Sequence, residues 1–244
     1  MLTNYLSIAE LRRLEAFLGS AETLFKPYGL FYADNLMTVG RVVGFLKDAA
    51  FRTALSEGDP IRWSHDIAWR LHVLCWAAQV GLRQPGDLVE CGVLEGISMD
   101  VVARYIDLEA TGRGLYLYDL FHGAGGPGRG VALPQHDSDL GWRVAERFKH
   151  YTRATVVPGF VPDSFSIAVP ERICFLHIDL NDAGAETAAI NALWDRLSPG
   201  AVIVYDDFGW NAHADQHAAA TEAMARRGVS ILELPTGQGL AIKP

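Results

Sequence analysis

The chain has 244 residues, half of them hydrophobic and a fifth charged, with a formal net charge of −8. This length supports one substantial core and is short for two comfortable domains. The acidic balance argues against nucleic-acid or anionic-membrane partners, which call for a basic face, and nothing approaches the apolar length of a membrane span. No signal peptide is visible in the opening residues. Cys75, Cys91 and Cys174 are odd in number, widely spaced and set in apolar surroundings. They read as reduced core thiols, so the expected location is cytoplasmic.

Residues 1–84 read as helical. Ser7-Ile-Ala-Glu10 fits a capping box at the start of a first helix. A second helix is predicted from Thr38 to Leu55, ending before Gly58-Asp-Pro60. A third begins near Ser64, with Ile67, Leu71, Leu74 and Ala78 at helical spacing on one face. Trp69, Val73 and Trp76 lie on its other faces, which predicts cover on more than one side.

From Pro85 the rhythm changes to short apolar runs alternating with amphipathic ones, which sets residues 85–244 apart as one compact unit. Strands are predicted at 87–91, 114–119, 154–158, 172–178 and 201–205, and helices at 97–109, 138–150, 184–196 and 213–227. Such alternation implies an α/β fold with a parallel sheet covered on both faces. Val229–Leu234 and Gln238–Lys243 are separated by only a short turn, so these last strands must be antiparallel. Gly123–Gly130 is a glycine-rich loop.

The first of these strands ends in Val89-Glu-Cys-Gly-Val-Leu-Glu-Gly96, a glycine turn entering a helix. It lacks the middle glycine of a dinucleotide-binding G-x-G-x-x-G, and Glu90 places an acid at the strand end. S-adenosylmethionine carries a sulfonium cation and no phosphate, so it suits Glu90, Gly92 and Gly96 better than a nicotinamide does. Ser98 and the free amides at the helix start are placed to hold the methionyl carboxylate. Asp119 ends the second strand, where a carboxylate accepts both ribose hydroxyls. Gly159 and Phe160, after the third strand, border the adenine. The plainer alternatives are a salt-bridged Glu90, a Gly96 that serves close packing, a solvated Asp119 and a core Phe160.

Asp179 follows the strand Ile173–Ile178, and Asp206-Asp207 follow Ala201–Tyr205. One strand–helix–strand unit brings these ends together, and ligands of open α/β sheets bind at that edge. Three hard carboxylates suit Mg²⁺ or a similar divalent cation, which lowers the pKa of a bound hydroxyl and orients it. Without a cation the three acids should raise one another's pKa. The alternative makes Asp206 a helix cap and Asp207 a solvated side chain. Asp179, Asp182, His213 and His217 are the candidates for the base, and His122 and Trp210 for the acceptor mouth.

These residues resemble the macrocin-type (TylF-like) O-methyltransferase family. The matching text is Asp34–Arg41, Trp69–His72, Val89–Gly92, Tyr118–Phe121, Gly159–Asp163, His177–Asp179, Ser198–Gly200 and Asp206–Trp210, covering the chain from about residue 30 to its end. The resemblance implies a class I methyltransferase Rossmann-like sheet, five parallel strands plus the terminal hairpin, and methylation of a small natural-product or sugar-like hydroxyl acceptor. It makes Asp179, Asp206 and Asp207 the metal ligands, Asp179 also a base, Ser98 a carboxylate contact and Asp119 a ribose contact. It also implies that residues 1–84 lid the site and form a homodimer or larger homo-oligomer. One departure stands out: the family writes D-x-D-L-Y after the fourth strand, whereas here Asp179-Leu-Asn181-Asp-Ala-Gly replaces the second acid and drops the aromatic. That loop leaves room for metal-independent or non-methylation chemistry, or for a non-catalytic partner on the same scaffold.

Overall fold

The computed structural model describes residues 7–59, 66–121 and 136–244. The expected helix start at Ser64, the Gly123–Gly130 loop and His122 lie outside the described residues. Helix α1 (Ile8–Phe25) opens on the expected capping box: the Glu10 amide donates to Ser7 Oγ at 3.3 Å, and the Ser7 amide donates to Glu10 Oε2 at 2.8 Å.

The next segment corrects the helical reading. Strands β1 (Leu30–Ala33) and β2 (Leu36–Val39) form an antiparallel hairpin closed by Asp34 and Asn35, whose φ values are 50° and 60°. Two consecutive residues of positive φ make the turn that matches strand twist, and Asp and Asn tolerate that region best after glycine. The helix expected from Thr38 is therefore α2 (Ala49–Gly58). It starts where the Asp48 carboxylate accepts the Ala50 and Phe51 amides, a local cap that outweighs the apolar run before it. Helix α3 (Ala68–Gly81) buries Leu71, Leu74, Cys75 and Ala78, while Trp76 is 46% exposed, so its cover is one-sided there.

Seven strands make the main sheet: β3 (Asp87–Cys91), β4 (Leu115–Asp119), β5 (Ala154–Pro158), β6 (Ile173–Ile178), β7 (Leu197–Tyr205), β8 (Leu232–Glu233) and β9 (Gly239–Ile242). Their order is β5-β4-β3-β6-β7-β9-β8, with the first five parallel and β9 antiparallel to both neighbours. This is the class I methyltransferase sheet, with its terminal antiparallel hairpin as expected. Helices α4 (Ile97–Tyr105), α5 (Leu108–Thr111), α6 (Leu140–Phe148), α7 (Ala183–Leu193) and α8 (Ala214–Ala225) fill the connections. All three cysteines are buried and unbridged.

The strand order reverses between β3 and β6, which opens a crevice at their carboxyl ends. Glu90, His177 and Val204 stand abreast on β3, β6 and β7. Side chains alternate along strands, so Gly92, Asp179 and Asp206 two positions on belong to the same face. Val202 and Val204 on that face pack in one cluster with Leu71 and Leu74 of α3. The acidic strand ends thus lie under α3, and the other face packs on α7 and α8 through Ile190 and Met224.

Gly92 sets how closely β3 and β6 part. Its φ is 93°, and a Cβ there would fall 1.7 Å from the Asp179 carbonyl oxygen. Gly92→Ala is therefore expected to destabilise the fold by about 2–4 kcal/mol, read as a fall in denaturant midpoint; an unchanged midpoint would show that the two strand ends separate freely.

Candidate functional site

A cavity of about 630 Å³ opens at the carboxyl ends of β6 and β7 beneath α3 and the β1–β2 turn. Asp34, Arg70, Ser98, Asp179, Asp206, Asp207, Trp210 and His213 are among the residues that line it. The structure thus places the three acids on one cavity, with Ser98, Trp210 and His213 on the same lining.

The main surprise is Arg70, from the mostly apolar α3. Its Nε donates to Asp34 Oδ2 at 2.6 Å, and its Nη1 donates to Asp206 Oδ2 and lies 3.5 Å from Asp207 Oδ1. The guanidinium also sits 5.0 Å from the centre of the Trp210 ring. Burial would lower the Arg70 pKa, but Asp206, Asp34 and Asp207 outweigh it and hold the cation firmly charged.

Asp206 is surrounded by donors. Gln238, next to β9, donates to its Oδ1 at 3.0 Å, and His177 Nε2 lies 3.5 Å from the same oxygen. Burial alone would raise its pKa, yet Arg70, His177 and Gln238 bring it well below the usual carboxylate range. Asp179 and Asp207 go the other way, each raised first by burial and then by Asp206. The expectation that all three acids would raise one another is thus corrected for Asp206, because protein cations serve it.

Donor atoms of His177, Asp179 and Asp206 all lie within 4.8 Å of one another. One cation's coordination sphere covers that span, and Asp207 opens on the same cavity. Hard oxygens of this kind, with room for water and a ligand oxygen, fit a small divalent cation. The tightest group of donor atoms thus joins His177 to two of the three expected acids, and the third, Asp207, lines the same cavity. Asp207 instead faces Arg70 and His213, whose Nε2 is 3.8 Å from its Oδ2.

Glu90 takes the ion-paired alternative. It is 1% exposed and bonded to His177 Nδ1 at 2.9 Å, so its carboxylate lies inside the sheet and not at an open strand end. Burial pushes it up to about 7 against the pull of His177. His177 itself, which burial would lower, rises to about 10 beside Asp206 and Glu90. Asp182 caps α7, accepting the Ala185 amide at 2.7 Å, and is not among the cavity-lining residues. His217 packs against Phe208 with ring centres 4.3 Å apart and the planes tilted by 33°. His213 keeps its place at the cavity, its Nδ1 2.9 Å from Gln216 Nε2. Asn181, at φ 54°, turns its amide nitrogen onto Asp179 Oδ1 at 3.1 Å.

The glycine turn is built as expected, with Gly96 at φ 74° before α4 and an added Cβ there meeting Phe148 at 2.6 Å. Asp119 grips this turn: one carboxylate oxygen accepts the Val93 and Leu94 amides at 2.6 and 2.7 Å, and the other meets the Phe121 amide and His136 Nε2. Burial would raise its pKa, but His136 and these amides lower it. The carboxylate assigned to ribose is therefore already the staple of the turn. Gly159 follows β5 with its amide on the Asp119 carbonyl, and Phe160 is half-buried beside it.

Sequence reasoning missed Arg70, Asp34, His177 and Gln238 as site residues. An arginine within the apolar face of a buried helix was the available signal, since a buried charge demands a partner.

Comparison with known proteins agrees with this geometry. Residues 89–208 match the family described as a methyltransferase domain. The 8-demethyl-8-(2,3-dimethoxy-alpha-L-rhamnosyl)-tetracenomycin-C 4′-O-methyltransferase of Streptomyces olivaceus is 28% identical over 219 residues, covering 75% of this chain and 81% of the relative. Among solved structures, the O-methyltransferase NovP superposes with a TM-score of 0.58 at 20% identity, covering 71% of this chain and 79% of its own. The O-methyltransferase from Bacillus cereus, in complex with S-adenosylhomocysteine (SAH), gives 0.56 at 19%, covering 82% and 94%. Residues 89–208 thus match a methyltransferase domain, and the fold around them is that of solved O-methyltransferases.

Glu186, in the first turn of α7, is 5% exposed. Burial, then the charge of Asp207, pushes its pKa from 4.5 up to about 8. The folded state holds this proton more tightly than the unfolded one, so stability is full below about pH 4.5 and is lost as pH rises through about 8. In chelator-treated protein, Glu186→Gln should flatten that loss and stabilise by on the order of 1–3 kcal/mol above the upper value. Melting curves across the window check this, and an unchanged pH slope contradicts it.

Proposed function

We propose that this methyltransferase moves the methyl group of S-adenosylmethionine to a hydroxyl of a small natural-product or sugar-like acceptor, with a divalent cation such as Mg²⁺ assisting. The observation that carries the reading is a cavity lined by Asp179, Asp206 and Asp207 together with Ser98, two residues beyond the glycine turn, whose Gly92 abuts the Asp179 backbone. The rhamnosyl substrate in the name of the Streptomyces olivaceus relative supports a sugar hydroxyl as acceptor. So does the cavity, where an indole face at Trp210 stands beside Asp34, Asn35 and Asn211, side chains that pair with vicinal hydroxyls. The macrocin-type resemblance points the same way.

The cofactor would bind along the turn Gly92–Gly96, with Ser98 and the first amides of α4 taking its carboxylate and the Asp119 to Phe160 edge facing the nucleoside. Asp119 holds the turn's amides in place for this, and Glu90 supports it from below through His177. The acceptor would enter from the α3 and hairpin side. Its hydroxyl is set against Asp179, which receives the proton, while His213 beside Asp207 stands at the rim to pass it to solvent. Asp182, held as a helix cap, is the weaker candidate for that role. Asp179, Asp206 and Asp207 would hold the cation, which supplies positive charge that lowers the pKa of a hydroxyl oxygen. Water exclusion and in-line alignment would provide most of the acceleration, since sulfonium is already an activated leaving group. Residues 1–84 would cover the acceptor side as a lid, and the exposed Ile8, Phe17 and Leu24 of α1 support a homo-oligomer.

The ion pairs of Arg70 favour a second reading, transfer without a metal, in which the guanidinium supplies the charge. Methyl transfer from labelled cofactor to rhamnosylated acceptors, with and without chelator, separates the two. The proposal predicts turnover that chelation reduces at least about a hundredfold and that Asp179→Asn reduces by about 10²–10⁴. Turnover indifferent to chelator supports the metal-free reading. No cofactor binding at all would contradict both and leave a non-catalytic scaffold.

A further inference from the structure

Arg70 ties the β1–β2 turn directly to the acids at the end of β7. On one side it holds Asp34 with Nε at 2.6 Å and Nη2 at 3.5 Å, and Asp34 is the first residue of the β1–β2 turn. On the other, a single nitrogen, Nη1, serves both Asp206 and Asp207. Its side chain and those of Asp34, Asp206 and Asp207 are only 12–14% exposed, so the charges meet with little solvent screening. The arginine cannot give up the two strand-end acids without being held elsewhere, and the fork to Asp34 is that second holding point.

We infer that Arg70 is the built-in counter-ion of the acidic cavity, displaced from Asp206 and Asp207 by a divalent cation and then kept on Asp34, so that cation affinity is set by how the guanidinium divides itself between the two. This rests on the reading of Asp179, Asp206 and Asp207 as the cation's holders. It assigns to Asp34 a role outside the cation's own ligands: the hairpin turn is the resting place for the displaced charge. Cation binding thereby tightens the Arg70–Asp34 pair and couples the turn that walls the acceptor cavity to the state of the acids. Because Arg70 also lies over Trp210, its displacement changes the surroundings of that indole.

The two partners predict effects of opposite sign. Removing the guanidinium in Arg70→Met should tighten binding of Mn²⁺, used as the probe, by at least about tenfold, since a competing charge a few ångströms away is gone. Removing the resting place in Asp34→Asn should weaken it by about tenfold, since the displaced arginine then has no partner. In the Arg70→Met background, Asp34→Asn should have much less effect, because the arginine through which it acts is absent. Free Mn²⁺ counted by electron paramagnetic resonance, with Trp fluorescence of the parent and of Trp210→Phe as a second readout, measures all four proteins without any turnover. Arg70→Lys keeps a charge but cannot fork between the two sides, so it should fall between parent and Arg70→Met, and it replaces the latter if that variant does not fold. Equal Mn²⁺ affinity in parent, Arg70→Met and Arg70→Lys overturns the inference while leaving the metal reading intact, as does an Asp34→Asn effect of the same size in both backgrounds. Absence of Mn²⁺ binding in all variants overturns the metal reading and this inference with it.

Discussion

The arrangement turns on one buried guanidinium facing several carboxylates. Asp34, Asp179, Asp206 and Asp207 all line one cavity, and two like charges about 4 Å apart repel by roughly 4 kcal/mol at the effective dielectric of a protein surface. Arg70 resolves the conflict unequally. Asp206, gripped by Arg70 and Gln238 with His177 nearby, is held ionised, whereas Asp179 and Asp207 are left with raised pKa values. The cavity therefore keeps one committed carboxylate and two that are short of positive charge. A site of that kind attracts a cation or surrenders a proton acceptor, and both are useful to a reaction that must deprotonate a hydroxyl.

Backbone constraints put those carboxylates in place. Gly92 lets the end of β3 pass against the Asp179 carbonyl where no Cβ would fit, and Asp119 pins the following turn by its amides. Below them Glu90 and His177 form a buried pair on the same sheet face. Among the described residues the Oε2 of Glu90 has no hydrogen-bond partner, and the Nε2 of His177 has only its 3.5 Å approach to Asp206 Oδ1; an unsatisfied buried polar atom costs about 1–3 kcal/mol, a cost consistent with a site built for function over stability.

Much of this was legible in the sequence because strand ends carry their own marks. Apolar runs followed by acids placed Asp179, Asp206 and Asp207 at one edge, and the short Pro235–Gly237 turn fixed the final hairpin as antiparallel. Three things were hidden. The β1–β2 hairpin closes on Asp-Asn with no glycine, so its four-residue strands passed for helix. Arg70 lies among apolar residues whose spacing predicts a helix but says nothing of what faces the acids across the fold. Glu90 reads the same whether it is presented at a strand end or paired inward, and only the register that sets it beside His177 on β6 decides. The last two depend on contacts between residues distant in sequence, which periodicity does not encode.

The central claim is that the acids at the ends of β6 and β7 receive a cation in exchange for Arg70. Anomalous diffraction from crystals grown with Mn²⁺ and S-adenosylhomocysteine tests it most directly. The account predicts a single strong peak among Asp179, Asp206 and Asp207, with the Arg70 guanidinium withdrawn onto Asp34. A cavity without a peak, with Arg70 still seated on Asp206 beside bound S-adenosylhomocysteine, would contradict it.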